Sequence, residues 1–304
     1  MSSIDRLASS MERFGEVRLA EPLARHTTFG IGGPADLFVT TRDSASLGGA
    51  TLAAAEAGQA LFVLGSGSNI LVADAGIRGV VVDNRARAEA PNDNLTRIRV
   101  ESGASFAAFA RRLCRLGRDG LSWAVGIPGT LGGAVVYNAG AYGGCLADVL
   151  RRVLLQDRDG RSEWVDAADL GLVYRGSVFT RGQFADRTVL EAEVELAPAD
   201  PAALMAIVAG YDKRRLSAQP RGRNAGSMFK NPPDSPAWKL IEAVGLRGAR
   251  HGDAAISDKH ANFFVNDGHA SAADIAWLVA EAERRVLDQF AIQLEREVAF
   301  VGAW

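Results

Sequence analysis

The chain has 304 residues, 48% of them hydrophobic and 23% charged, an ordinary balance for a soluble globular protein. That length suggests two domains, or one large one, with a core that needs neither a disulfide framework nor a structural metal. Thirty-four basic against 36 acidic residues leave a formal net charge of −2. That balance argues against a protein built mainly to bind nucleic acid, and leaves a local anion pocket open.

The opening segment, MSSIDRLASSMERFGEVRLAEPLARHTTFG, has no apolar stretch behind basic residues and does not read as a secretory signal. No run of about 18 apolar residues occurs, so no membrane helix is expected and the expected compartment is the cytoplasm. Residues 1–24 read as a short amphipathic helix plus a connector. ADLFVT (35–40) predicts a strand, and the Ala-rich stretch 44–58 a helix that stops at a glycine. Strands are expected at 61–65, 79–84 and 96–103, the last from its alternation, with a helix over 105–116. Further strands are expected at 150–156 and 188–196.

PADPAAL (198–204) breaks the pattern and is the expected domain border, with a helix over 204–218 beyond it. A Gly- and Pro-rich loop (219–236), a short helix (238–244), strands near 253–257 and 261–266, a helix at 271–290 and a strand at 297–301 complete the chain. The class is mixed α and β, with strands too short and irregular for a regular doubly wound sheet. Cys114 and Cys145 form no CxxC motif and read as two reduced, buried thiols, with a single disulfide as the alternative. The spacing of His251, His260 and His269 matches no metal motif.

Five segments carry chemistry. In LFVLGSGSNILV (61–72), Gly65, Ser66, Gly67, Ser68 and Asn69 follow a buried strand. Glycines permit a tight turn, and consecutive N–H groups with serine hydroxyls can cradle a phosphate. The pattern is neither GxGxxG nor a P-loop, and a plain turn remains an alternative. Residues 120–144 carry eight glycines among Trp, Ile, Val and Tyr, which is no linker composition. This reads as an ordered loop whose backbone packs against a flat or charged ligand, with Thr130, Asn138 and Tyr142 as its sparse polar groups, or as a glycine-rich helix–loop packed tightly in the core. In VYRGSVF (173–179), Arg175 sits in an apolar strand-like context and needs an anion. An internal carboxylate or a substrate carboxylate would serve. RGRNAGSMFKNPP (221–233) crowds Ser227, Lys230 and Asn231 into one loop, with no GxSxG and no nearby histidine to suggest a hydrolase. In LEREVAF (294–300), read as a strand, Glu295 and Glu297 share a face.

Together these segments resemble the UDP-N-acetylenolpyruvoylglucosamine reductase family. The blocks are HTTFGIGGPAD (26–36), VLGSGSN (63–69), GIPGTLGGAVVYNAGAYG (126–143), YRGSVF (174–179), NAGSMFKNP (224–232), GLRGARHGDAAISDKHANFFVN (245–266) and LEREV (294–298). They stand in the family's order and span nearly the whole chain.

The resemblance implies an α+β flavoprotein with a vanillyl-alcohol-oxidase-type FAD-binding unit of two α/β subdomains (1–200) and a smaller α+β substrate domain (201–304). It implies bound FAD, NADPH as co-substrate, and reduction of a UDP-sugar enolpyruvyl ether in peptidoglycan synthesis. Gly65 to Asn69, Ile127, Pro128, Gly129, Thr130, Gly132, Gly133, Asn138, Gly140 and Ala141 would hold the cofactor. Arg175 and Glu297 would stabilise an enolate, Ser227 would give a proton, and Tyr142, Tyr174, Lys230 and Asn231 would touch substrate. The short interval between Arg175 and Ser227 leaves no room for the extra subdomain, with its lid tyrosine, that some members carry. The alternative is an FAD-dependent oxidase of the same fold acting on another sugar or alcohol. A non-catalytic nucleotide-binding protein would not need Arg175, Ser227 and Glu297 together.

Overall fold

Alternation builds the main sheet of this computed structural model, which describes residues 3–304. Met1 and Ser2, the start of the expected amphipathic helix, lie outside the described residues. In Thr188–Glu195 the buried Ala192 and Val194 alternate with the half-buried Glu191, Glu193 and Glu195. This strand pairs antiparallel with Leu150–Gln156 on one side and Arg97–Glu101 on the other, and Ser162–Asp166 and Glu89–Pro91 close a five-stranded sheet. Its glutamates meet arginines: Arg152 lies 2.9 Å from Glu193, while Arg97 and Arg151 share Glu195. Pairs this exposed contribute up to about 1 kcal/mol each, so the buried face, not the ion pairs, fixes the register.

The described residues form helices α1 (Ser3–Met11), α2 (Ser44–Glu56), α3 (Phe106–Arg115), α4 (Leu131–Tyr137), α5 (Pro201–Ala218), α6 (Ala237–Ala243) and α7 (Ala272–Phe290). Contacts divide the chain into two compact units. The first holds the described residues up to Leu19, Leu37–Gly65 and Gly79–Arg214, and the second holds Ala20–Asp36, Ser66–Arg78 and Arg215–Trp304.

In the first unit, Phe106, Phe109 and Leu113 of α3 cover the sheet beside Ile98, Val100 and Val194, with Phe106 edge-on to Trp123 at 5.8 Å. Leu47, Ala50 and Ala54 of α2 pack with Val80 and Val82, and Leu61–Leu64 runs parallel to Ile77–Asn84. In the second unit, Ala254–Ile256 pairs antiparallel with Phe264–Asn266, and Ala299–Val301 runs parallel to Ile70–Val72. Ile275, Leu278 and Val279 of α7 and Leu240 and Ile241 of α6 close over Met228, Phe229 and Phe264.

Three sequence expectations change. The break at 198–204 is a helix start: Pro201 opens α5, and the Asp200 carboxylate accepts from the N–H groups of Ala202 and Ala203, both at 3.1 Å. Proline suits that position because its missing N–H would have no intrahelical partner. The unit border falls later, inside α5 at Arg214, and the chain enters the second unit three times rather than once. The connector after α1 is not irregular, since Glu16–Pro22 is a strand. The glycine-rich segment holds a true helix, α4, capped by Thr130 and ended by Asn138 in the left-handed conformation.

Helix α7 is held at its start twice over. Ser271 Oγ accepts from Asp274 N–H at 3.0 Å while the Asp274 carboxylate accepts from Ser271 N–H at 2.9 Å. Those Ser271 hydrogen bonds hold the Asp274 carboxyl below the usual range. The carboxylate of Asp74 takes the N–H groups of Ala272 and Ala273. Ser271→Ala should cost about 1 kcal/mol by urea unfolding, the usual value of a lost cap. Asp274 prefers its charged form when folded, so the contribution is full above the normal carboxylate pKa and fades as pH falls through the lowered folded value. The gap between Ser271→Ala and the unsubstituted chain should narrow at acid pH.

Candidate active site

The strand Leu61–Leu64 delivers the chain to Gly65, where a Cβ would lie 2.5 Å from Thr130 Oγ1. Within the first unit this contact sets the head of one glycine-rich loop against the cap of α4. Gly132 N–H donates to Ser102 O at 2.7 Å, pinning the start of the helix, and Ile127 N–H donates to Ala124 O. Pro128 and Gly133 remain exposed, Gly129 has φ +137°, and a Cβ on Gly133 would meet only Thr130 Oγ1, at 3.7 Å. Bare backbone and an exposed proline thus form a surface that a flat ligand can approach closely.

In the second unit the remainder of the first loop is folded on its own chain. Gly67 has φ +61°, and a Cβ there would stand 2.1 Å from His26 O. Thr28 N–H donates to Gly67 O, and the Ser66 hydroxyl donates to Ser68 Oγ at 3.3 Å. Gly67 is therefore required by packing against the HTTFG backbone, not only by any ligand. Asn69 Nδ2 donates to Glu297 O at 3.1 Å.

Arg175 does not lie in a strand. Val173 and Gly176 exchange backbone hydrogen bonds at 2.9 and 3.2 Å, making Tyr174–Arg175 the tip of a tight turn. Tyr174 is 58% exposed, and the guanidinium carbon of Arg175 lies 5.2 Å from its ring centre. Three side chains bind the turn to the 136–140 backbone. Asn138 Nδ2 donates to Val173 O at 3.0 Å, Arg175 Nη2 donates to Gly140 O at 2.8 Å, and Ser177 Oγ donates to Val136 O at 2.6 Å. Asn138, Tyr142 and Arg175 all have positive φ, at +43°, +53° and +51°. Such strain in non-glycine residues gathers at functional sites. The Tyr142 ring stacks on Tyr211 of α5 at 4.2 Å, with Arg214 5.4 Å from its centre.

The second unit carries the other expected residues. Ser227–Lys230 runs antiparallel to Glu295–Val298: Glu297 N–H donates to Met228 O and Lys230 N–H to Glu295 O, both at 2.8 Å. Glu297 stands in a bend before Ala299–Val301 rather than in a strand. Lys230 is ion-paired with Glu295, and the Asn231 side-chain oxygen accepts from Ala237 N–H at the start of α6. Asn138 likewise spends its carboxamide on protein, accepting from Ala147 N–H as well as donating to Val173 O. Sequence reasoning missed Ser177 and Tyr211, whose importance comes from what they touch across the fold. Both cysteines are free, and burial pushes their thiols up.

Residues 218–301 match the family model described as UDP-N-acetylenolpyruvoylglucosamine reductase, C-terminal domain, and residues 35–166 match that described as FAD binding domain. A UDP-N-acetylenolpyruvoylglucosamine reductase of Symbiobacterium thermophilum is 42% identical over 98% of this chain and 96% of its own length. The chain belongs to the UDP-N-acetylenolpyruvoylglucosamine reductase family. The Geobacter metallireducens relative is 40% identical over 95% of both chains. The solved Thermus caldophilus reductase superposes with a TM-score of 0.79 at 34% identity, covering 94% of this chain and 98% of that one. The fold class is that of a flavoprotein reductase of this family. FAD is its cofactor, and the surface made by Pro128 and Gly133, both exposed, with Gly129 half-buried between them, fits such a group.

Two glycine substitutions should separate packing from cofactor contact. Gly133→Val has room for its Cβ, so the protein should fold with the thermal midpoint of the flavin-stripped parent chain yet purify with little flavin colour. Gly67→Val collides with His26 O and should lose both stability and colour. Absorbance at the flavin band and thermal unfolding together read the two effects.

Proposed function

We propose that this FAD-dependent oxidoreductase uses NADPH to reduce the enolpyruvyl ether of UDP-N-acetylglucosamine to the lactyl ether of UDP-N-acetylmuramate, a step of peptidoglycan synthesis. Bound FAD would supply the hydride chemistry between NADPH and the methylene carbon of the enolpyruvyl group. The chain's own residues deal with the charge and the proton that this addition demands. Hydride at the methylene carbon leaves negative charge spread over the neighbouring carbon and the carboxylate, and a proton must then reach that carbon.

Arg175 is assigned to the carboxylate and the developing enolate. The observation that carries this reading is the strained turn of Arg175, whose guanidinium is fixed by its hydrogen bond to Gly140 O. A cation fixed before reaction costs no reorganisation as charge develops. Ser227 is assigned as proton donor to the α-carbon. A serine hydroxyl is a weak acid, so it acts only where the carbanion is strongly basic and the geometry is fixed. Glu297 is assigned to the same enolate as a hydrogen-bond donor, which requires its carboxyl to carry a proton. Tyr142, Tyr174, Lys230 and Asn231 are assigned to the nucleotide-sugar. The exposed ring of Tyr174 and the stacked ring of Tyr142 suit apolar and planar contacts.

The visible spectrum of the purified protein tests the reading. Flavin bands should bleach on adding NADPH without oxygen and recover on adding the enolpyruvyl sugar. Recovery with oxygen alone and no response to the sugar would overturn it in favour of an oxidase. Arg175→Lys keeps charge but loses the planar two-point contact with a carboxylate. Turnover should fall by roughly tenfold to a thousandfold, the size of one lost anion-stabilising interaction. Turnover near that of the unsubstituted enzyme would return Arg175 to a purely structural role.

A further inference from the structure

Ser227 is carried by a segment that behaves as a strand without being paired as one throughout. On one edge, Met228 O and Lys230 N–H bond to the Glu295–Glu297 backbone. That ladder places Phe229 opposite Arg296 in a position where its own N–H and C=O point to the other edge. There, backbone pairing runs only as far as Ser227 opposite Phe263, with Met228 N–H donating to Asn262 O at 2.8 Å. The next rung is made by a side chain. Asn262 Oδ1 accepts from Phe229 N–H at 2.9 Å, and Asn262 Nδ2 donates to Phe229 O at 2.8 Å. One carboxamide thus replaces the peptide that a longer partner strand would supply.

The site is dry. Asn262 is 2% and Phe229 1% exposed, and the Phe229 ring packs edge-on to Phe264 at 6.0 Å. Both polar groups of the Phe229 peptide would lose their partner if the carboxamide were removed, and water has little access to replace it. Burying two orphaned peptide groups is costly, so the segment would shift to satisfy them. Ser227 stands two residues away on the same run of chain.

We propose that Asn262 is a positioning residue that holds the Ser227 hydroxyl in register for proton delivery by supplying, through its side-chain amide, the missing rung of the strand that bears Ser227. The claim rests on the reading of Ser227 as proton donor. Nothing in the residue's own type or spacing marks it, because the role exists only where the carboxamide meets the Phe229 peptide.

Asn262→Leu removes both bonds at similar volume. Asn262→Asp keeps the acceptor for Phe229 N–H and removes the donor to Phe229 O, and serves should the leucine variant fold poorly. Two readouts on the flavin-loaded enzymes decide the matter. Hydrogen exchange of the Phe229 amide should accelerate in Asn262→Leu, which loses its acceptor, and much less in Asn262→Asp, which keeps it, while amides of α7 stay protected in both. In rapid mixing, bleaching by NADPH should stay within about twofold, while recovery on adding the enolpyruvyl sugar slows by about ten- to hundredfold, the cost of a small misplacement of a reacting group. Combined with Ser227→Ala, either substitution should add little further slowing, because it acts through the hydroxyl already removed. Slowing that multiplies in the double variant, equal slowing of both half-reactions, or unchanged recovery beside a slowed Ser227→Ala would overturn the proposal alone. Unchanged recovery in Ser227→Ala itself would overturn the reading of Ser227 and this proposal with it.

Discussion

The turn at Val173–Gly176 makes a demand that the surrounding chain answers. Arg175 adopts a left-handed conformation that costs a non-glycine residue about 1–2 kcal/mol. Asn138 and Tyr142 carry the same strain nearby in the chain that holds the turn. Hydrogen bonds from Asn138, Arg175 and Ser177 to backbone carbonyls oppose that cost at about 1 kcal/mol each. They do a second job as well. Helix α4 ends at Tyr137, and its last carbonyls have no intrahelical partner. Asn138 and Ala139 N–H groups cover two of them, and the Ser177 hydroxyl covers Val136 O. The strained turn and the helix end therefore complete one another, and the arginine is placed as a consequence.

The second unit solves a similar problem by similar means. Its candidate residues, Ser227, Lys230 and Glu297, lie on segments with too little regular pairing to be rigid through secondary structure alone. A buried asparagine completes the ladder on one edge, and Asn69 takes the Glu297 carbonyl. In both units the candidate side chains stand on irregular backbone made rigid by side-chain amides and hydroxyls. Irregular backbone can aim a side chain where no helix or strand would point it, provided every buried peptide group finds a partner.

Much of this was legible in the sequence, for identifiable reasons. The alternation in TRIRVESG pointed to the strand Arg97–Glu101 because one sheet face is buried. The glycine-rich blocks identified the family, and the positive φ at Gly67 and Gly129 agrees with their composition. Local reading failed where the answer lay in distant contacts. PADP read as a break, but proline and aspartate favour a helix start as much as a stop. YRGSVF read as a strand from its apolar content, although Tyr-Arg-Gly is equally compatible with a turn when Asn138 holds one side of it. The commitment of Asn138 and Asn231 to backbone groups could not be read from their motifs, because an amide that caps a chain and one that binds a ligand look alike in sequence.

The most direct test of the central claim deletes one strut and asks whether the arginine feels it. Asn138→Gly keeps the freedom to adopt positive φ while removing the bonds to Val173 and Ala147. Turnover should be measured for this substitution alone and on an Arg175→Ala background, with flavin content as control. The account predicts a loss of roughly tenfold in the first case and almost none in the second, since the strut acts through the arginine. An equal loss on both backgrounds, or no loss in either, would contradict it.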